Sequence, residues 1–245
     1  MKRAMAFARR NARELVRDPL TVGFSLGFPL VLLALLTIIQ RNIPVSMFEI
    51  DRLAPGVAAF GLTFAALFSA TLIARDRASS LMLRLCASPM RPVDFIAGYL
   101  APMLPLCAAQ IAVCYAAALA AGLHFDGNAI LSMLTLLPAA ALYVAIGLLC
   151  GTLLNDRQVG GVCGALLTNV CAWLSGIWFD LSLLGDGFRR AAEILPFANS
   201  VTAARAALAG EPAGIGGPLL NVCLWAAGVL ALAVWTFHRR LKRGV

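Results

Sequence analysis

Of 245 residues, 61% are hydrophobic and 13% charged, and the mean hydropathy is +0.85. Soluble domains are roughly 25% charged, so a water-soluble globule is excluded and the solvent for most of this surface must be lipid. The formal charge of +8 does not call for nucleic acid, because the basic residues cluster between apolar stretches, as membrane topology requires.

Residues 1–19 hold Lys2, Arg3, Arg9, Arg10, Arg13 and Arg17, interleaved with Phe7, Leu15 and Val16. This pattern predicts an amphipathic helix lying on the membrane surface. The apolar run that follows, ahead of Gln40 and Arg41, is too long for a cleavable signal and reads as an uncleaved first span.

A helix rises about 1.5 Å per residue, so about 20 apolar residues cross a ~30 Å hydrocarbon core. Six stretches qualify: residues 20–39, 54–74, 95–121, 129–154, 158–179 and 218–237. None contains Asp, Glu, Lys, Arg or His, each of which would cost about 2.5–3.5 kcal/mol at a span centre. The expected fold is therefore all-α and integral to the membrane, a single domain over residues 1–245. Pro102 and Pro105 predict a kink in the third span and Pro138 a bend in the fourth. The fourth and fifth spans are joined only by Asn155, Asp156 and Arg157, which predicts a tight antiparallel hairpin.

Between the second and third spans lies RDRASSLMLRLCASPMRPVD, residues 75–94, the one long polar interruption in the first half of the chain. Leu81, Met82 and Leu85 fall on one side of a helix there. A charged exit from the bilayer followed by a short surface helix with an apolar stripe is suited to contact with another protein. Residues 180–217 carry apolar positions at helical spacing around Pro196, predicting two short helices, and Gly210 to Pro218 reads as a loop back to the last span.

Lysine and arginine set the orientation. The N-terminal segment, residues 75–94, the 155–157 turn and the tail together hold 15 of the 20, which places both termini and residues 75–94 in the cytoplasm of a bacterial inner membrane.

The charge-free spans lack the intramembrane carboxylates and histidines of ion-coupled carriers. They also lack the parts of an intramembrane protease, so no catalytic residue is assigned. No G-x-x-x-x-G-K-[ST] is present, so the chain does not hydrolyse ATP in the P-loop manner. The seven scattered cysteines form no disulfide framework and no metal spacing, and read as small packing residues. Gln110, Asn169 and Asn221 are the strongest polar groups in or beside the spans, with Thr63, Thr71, Thr168 and Ser175 weaker. Interhelical hydrogen bonding is their ordinary use; lining a substrate path is the other. Phe60, Phe64 and Phe68 form a stripe on the second span, either packing or a hydrophobic gate. Small-x-x-x-small pairs at Gly23/Gly27, Gly147/Gly151 and Gly160/Gly164 allow close helix contact.

Four pieces of the chain together resemble the membrane permeases of ABC type-2 transporters, the exporters of drugs, lipids and polysaccharides. They are RELVRDPLTVGFSLGFPLVLL; LAPGVAAFGLTFAALFSATLIARDRASSLMLRLCASPM; GLLCGTLLNDRQVGGVCGALL; and LSGIWFD followed by ILPFANSVTAARAAL. The resemblance implies a homodimer or heterodimer of permeases docked on two separate ATP-binding cassette subunits. Cofactors are then absent from this chain, with ATP and Mg on the partner. Residues 75–94 would be a coupling helix seated in an ATPase groove through Leu81, Met82 and Leu85, with Arg75, Asp76, Arg77 and Arg84 making polar contacts. The second and fifth spans would line the path, with Phe60, Phe64, Phe68, Thr168 and Asn169 as candidate lining residues. The expected activity is export of an amphiphilic substrate, a drug, lipid or peptide antibiotic. A membrane anchor that recruits an ATPase without transporting, and an ion-coupled carrier, are the alternatives. Membrane lipid is an expected partner and nucleic acid is not.

Overall fold

The computed structural model describes residues 2–43, 46–79 and 92–242, and every described element is helical. Leu81, Met82, Arg84 and Leu85 lie outside the described residues.

Helix α1 (Lys2–Arg17) is amphipathic, with Phe7, Ala8, Asn11 and Leu15 buried and Arg9, Arg13 and Arg17 exposed. The sequence Arg17-Asp18-Pro19 separates it from α2 (Pro19–Asn42). Pro19 at the first helical position has no N–H to leave unpaired. Asp18 caps the helix: its Oδ1 accepts from the Leu20 and Thr21 amides at 3.1 and 3.2 Å, and its Oδ2 from the Thr21 hydroxyl at 2.9 Å. These bonds, the Thr21 hydroxyl foremost, hold the Asp18 carboxyl below its ordinary range. A depressed folded value means the cap contributes fully above the ordinary carboxylate range and is lost as pH falls through the folded value. Asp18→Ala is expected to cost about 1 kcal/mol near neutral pH, and the difference from the parent should shrink in acid, as measured by denaturant unfolding in micelles.

The centre of the bundle is α3 (Ile50–Ala78). Its apolar stretch is 72% buried, against 22% for α2 and 11% for the segment Pro212–Arg240. The reason is its side chains. Ala54, Ala58, Ala59, Ala65, Ala66 and Ala70 leave the backbone open to close approach. Helix α2 buries Thr21, Ser25, Pro29, Leu33 and Leu36, one face at near-helical period. Helix α4 (Pro92–Ala120) carries Pro102 and Pro105 and packs on α1, α2 and α3.

The fourth apolar stretch is two helices, α5 (Gly127–Thr135) and α6 (Leu137–Leu153), interrupted at Leu136 beside Pro138. Asp126 caps α5 through the Ala129 amide at 2.9 Å. Helix α6 lies directly on α3. A Cβ at Gly147 would overlap the Ser69 hydroxyl and the Ala66 carbonyl, and one at Gly151 would sit 2.5 Å from the Ala70 carbonyl. Of the three small-residue pairs, this one forms a seam inside the chain. A Cβ at Gly23, Gly27 or Gly160 would meet nothing within 4 Å.

Residues 158–179, read from the sequence as the fifth span, are helical as far as Leu174, with a change of turn inside the stretch. A capping box at Asn155 and Gln158 starts α7 (Asp156–Val159), a π-helical segment (Gly160–Leu167) follows, and α8 (Thr168–Leu174) completes it. Three glycines and the five-residue bond from the Thr168 hydroxyl to the Cys163 carbonyl, at 3.3 Å, fit the wider turn. Helical structure stops at Leu174, ahead of Gly176, whose φ of 66° is left-handed. Five helices among the described residues are long and apolar enough to cross a membrane, and this stretch is not one of them.

Beyond it come α9 (Asp186–Ile194) and α10 (Pro196–Leu208), then α11 (Gly216–Lys242). Gly210 ends α10 with φ 72°, and the Glu211 amide returns to the Ala206 carbonyl at 2.9 Å, a Schellman closure. Ser132 joins three helices: its hydroxyl meets Tyr115 of α4 at 2.6 Å and donates to the Ala204 carbonyl of α10 at 2.6 Å.

Candidate functional site

The last turn of α3 carries Arg75, Asp76 and Arg77, and consecutive residues on a helix point about 100° apart. The three side chains therefore reach three different neighbours. Asp76 points inward and is 3% exposed. Arg10 of α1 grips it with both guanidinium nitrogens, at 2.8 and 3.0 Å, and the Tyr99 hydroxyl of α4 donates to it at 2.9 Å. Arg10 also pairs with Glu14 and donates to Asn11. Asn11 is fully buried and donates to the Gly98 carbonyl at 3.0 Å. Phe7 fills the notch that Gly98 leaves, edge-on to Tyr99 at 5.0 Å. Thus α1 is fastened to α3 by a charged fork and to α4 by a ring in a notch.

Arg77 reaches the opposite way, donating to the Gly151 and Leu154 carbonyls at 2.8 and 3.1 Å. These are carbonyls at the end of α6, which no later turn of that helix can satisfy. Arg240 of α11 donates to the Leu153 carbonyl at 3.2 Å. Arg75 is exposed and lies 3.8 Å from Asp156, a loose pair between two solvated side chains. Of the charged residues that the sequence placed on a contact surface here, Arg75 is outward-facing, Arg77 is half-buried against α6, and Asp76 is consumed inside the bundle.

The phenylalanine stripe of α3 is in contact with its neighbours. Phe28 of α2 approaches Phe64 at 5.1 Å and Phe60 at 6.4 Å, Phe60 meets Trp178 at 5.7 Å, and Phe64 meets Phe68 at 6.4 Å. The result is an aromatic run from α2 across α3 to the segment after α8. Thr168 is half-buried and Asn169 exposed, and both hydrogen-bond within their own helical stretch, Asn169 to the Ala165 carbonyl at 2.8 Å. Gln110 is buried in the core, donating to the Ala58 carbonyl at 3.3 Å. Asn221 and Trp225 of α11 both donate to the Ile194 carbonyl at the end of α9, at 3.2 and 3.0 Å.

At the other end of the bundle an open cavity of about 480 Å³ is lined by Arg52, Asp180, Arg189, Glu193 and Arg205, among others. Arg205 of α10 donates to the Arg52 and Gly176 carbonyls, both at 3.0 Å. Burial, with Arg52 nearby, pushes its guanidinium down to about 10. One residue thereby ties α10 to the start of α3 and to the turn after α8. Arg205 was not among the residues singled out from the sequence. The available signal was a lone arginine in an alanine-rich helix. Arg10, Tyr99 and Asn11 were likewise missed, although a single aspartate between two arginines at a span end marked their partner.

Among the described residues no cluster of His, Cys, Asp and Glu could hold a metal. The family model described as ABC-2 type transporter matches residues 3–209, which takes in α1 to α10. No curated protein matches the chain.

Proposed function

Because the chain belongs to the ABC-2 type transporter family, and so is the membrane permease of an ABC transporter and not its ATPase, we propose that it is the permease of an exporter that moves an amphiphile. A separate ATP-binding subunit, carrying ATP and Mg, does the hydrolysis. Two permease chains and two such subunits form the working assembly in a bacterial inner membrane, with both termini cytoplasmic. The pieces over residues 156–174 supply a sixth crossing, completing an even number of spans.

In this reading residues 75–94 receive the motion of the ATPase. Leu81, Met82 and Leu85 seat in its groove, and Arg75 and Arg84 meet its surface. One observation supports it most: the turn leading into this segment is fastened to three helices, through Asp76 to α1 and α4 and through Arg77 to α6. A push delivered at residue 79 is therefore carried by several helices together. Allosteric coupling needs such a rigid element with two arrangements. Asp76 and Arg77 then act as positioning residues. The aromatic run from Phe28 through Phe60, Phe64 and Phe68 to Trp178 forms one wall of the path, with Thr168 and Asn169 beside it, and its apolar character fits an amphiphile.

The test is co-purification. Leu81→Asp with Leu85→Asp is expected to leave membrane insertion intact and to detach the ATPase from the detergent-solubilised permease. Normal recovery of the ATPase with the double variant would reject the assignment.

A further inference from the structure

The elbow between α1 and α2 holds two adjoining cavities of opposite character. The first, about 790 Å³, is lined by Arg10, Arg13, Glu14, Arg17, Asp18 and Arg75, and by Pro19 and Leu20. The second, about 320 Å³, is apolar and runs along α2 past Gly23, Phe24, Phe28 and Val31. It also begins at Pro19 and Leu20, so the two cavities meet at the same pair of residues.

The charges in the first cavity are unevenly committed. Glu14 is paired with Arg10, and the Asp18 carboxylate is occupied in capping α2. Arg10 is bound to Asp76. Arg13 and Arg17 are exposed and have no partner among the described residues, and Arg75, also exposed, is engaged loosely, 3.8 Å from Asp156 and near enough to Asp18 to act on its carboxylate. Two guanidinium groups, Arg13 and Arg17, are left for an outside anion, with the loosely held Arg75 beside them and both local carboxylates already used. Guanidinium is the group best matched to a phosphate.

The groove has the dimensions of an acyl chain. From Leu20 to Val31 the helix rises about 16 Å, close to one leaflet of a ~30 Å core. Phe24 and Val31 are 52% and 68% exposed, and a Cβ at Gly23 or Gly27 would meet nothing, so the groove floor is open. We propose that this elbow binds one anionic phospholipid, its phosphate among Arg13, Arg17 and Arg75 and one acyl chain along Gly23, Phe24 and Val31. A second copy of the chain is the competing occupant. In a two-fold contact across this face it would bring its own Arg13 and Arg17 against these, like charge against like.

The proposal needs only that the chain sits in a membrane, so it stands or falls apart from the ATPase reading, although its groove shares Phe28 with the proposed path wall. The test uses the purified full chain in detergent, titrated with phosphatidylglycerol and with phosphatidylcholine of the same acyl chains and followed by native mass spectrometry. One phosphatidylglycerol per chain should be retained in preference to phosphatidylcholine. Arg13→Gln with Arg17→Gln should weaken phosphatidylglycerol binding roughly ten- to thirtyfold, two surface cations' worth. Gly23→Phe, which fills the groove and leaves the arginines in place, should weaken it independently. Equal retention of the two lipids would overturn the proposal. So would phosphatidylglycerol binding unchanged in either variant, displacement of the lipid by inorganic phosphate, or a change only in the dimer fraction.

Discussion

Arg10→Ala is expected to destabilise the protein by about 3 kcal/mol or more, and Asp76→Ala by less, although both remove the same ion pair. The asymmetry follows from burial. The Asp76 side chain is 4% exposed and that of Arg10 38%. Without Arg10 the carboxylate is stranded in the bundle, and breaking a buried pair from that side costs about 3–5 kcal/mol. Without Asp76 the guanidinium keeps Glu14 and can turn to water, so the loss falls to about 1–3 kcal/mol. The double variant should cost less than the two single losses combined, because each removes the same contact. Arg75→Ala is the control. Its pair with Asp156 is long and solvated, and its loss should stay within about 1 kcal/mol. Denaturant unfolding of the four variants in mixed micelles reads all of this. Equal losses for Arg10→Ala and Arg75→Ala would mean that the fork between α1 and α3 contributes nothing.

The second large effect is expected at the α3–α6 seam. Gly147→Leu should prevent α6 from seating on α3, because even a methyl group there overlaps the Ala66 carbonyl, which belongs to helix backbone and has no rotamer to yield. Overpacking in a close-packed interior typically costs about 1–3 kcal/mol, and here the obstruction is backbone, so the upper end or beyond is expected. Gly23→Ala, on the open face of α2, is expected instead to stabilise by about 0.5–1 kcal/mol through helix propensity. Thermal melting in detergent separates the two outcomes. Similar melting points for both variants would show that the seam is looser than described.

These two sites mark how far the sequence could be read. The membrane character, the amphipathic helix α1 and the long apolar helices were legible, because each depends on local composition and period. The two short helices about Pro196 were legible for the same reason. The internal build of the fifth apolar stretch was not. Its apolar run continues past Leu174, and hydropathy does not register a π turn at Gly160–Leu167 or a left-handed Gly176. The break at Leu136 was visible only as Pro138. At the candidate site, the Arg75-Asp76-Arg77 triplet was found, but the direction of each side chain was not. Which of the three turns inward depends on where Arg10 and Tyr99 arrive, 66 and 23 residues away along the chain. The small-residue pairs make the same point. Gly147/Gly151 and Gly23/Gly27 have the same spacing, yet one is a packed seam and the other an open face.

The most direct measurement is a gentle detergent pull-down of the full chain from its own membranes, with the ATPase activity of the recovered complex assayed beside that of the Leu81→Asp, Leu85→Asp variant. A stoichiometric P-loop ATPase is expected with the parent chain, with hydrolysis that depends on the permease and loss of both with the variant. Recovery of the chain alone, or of an ATPase indifferent to the variant, would contradict it.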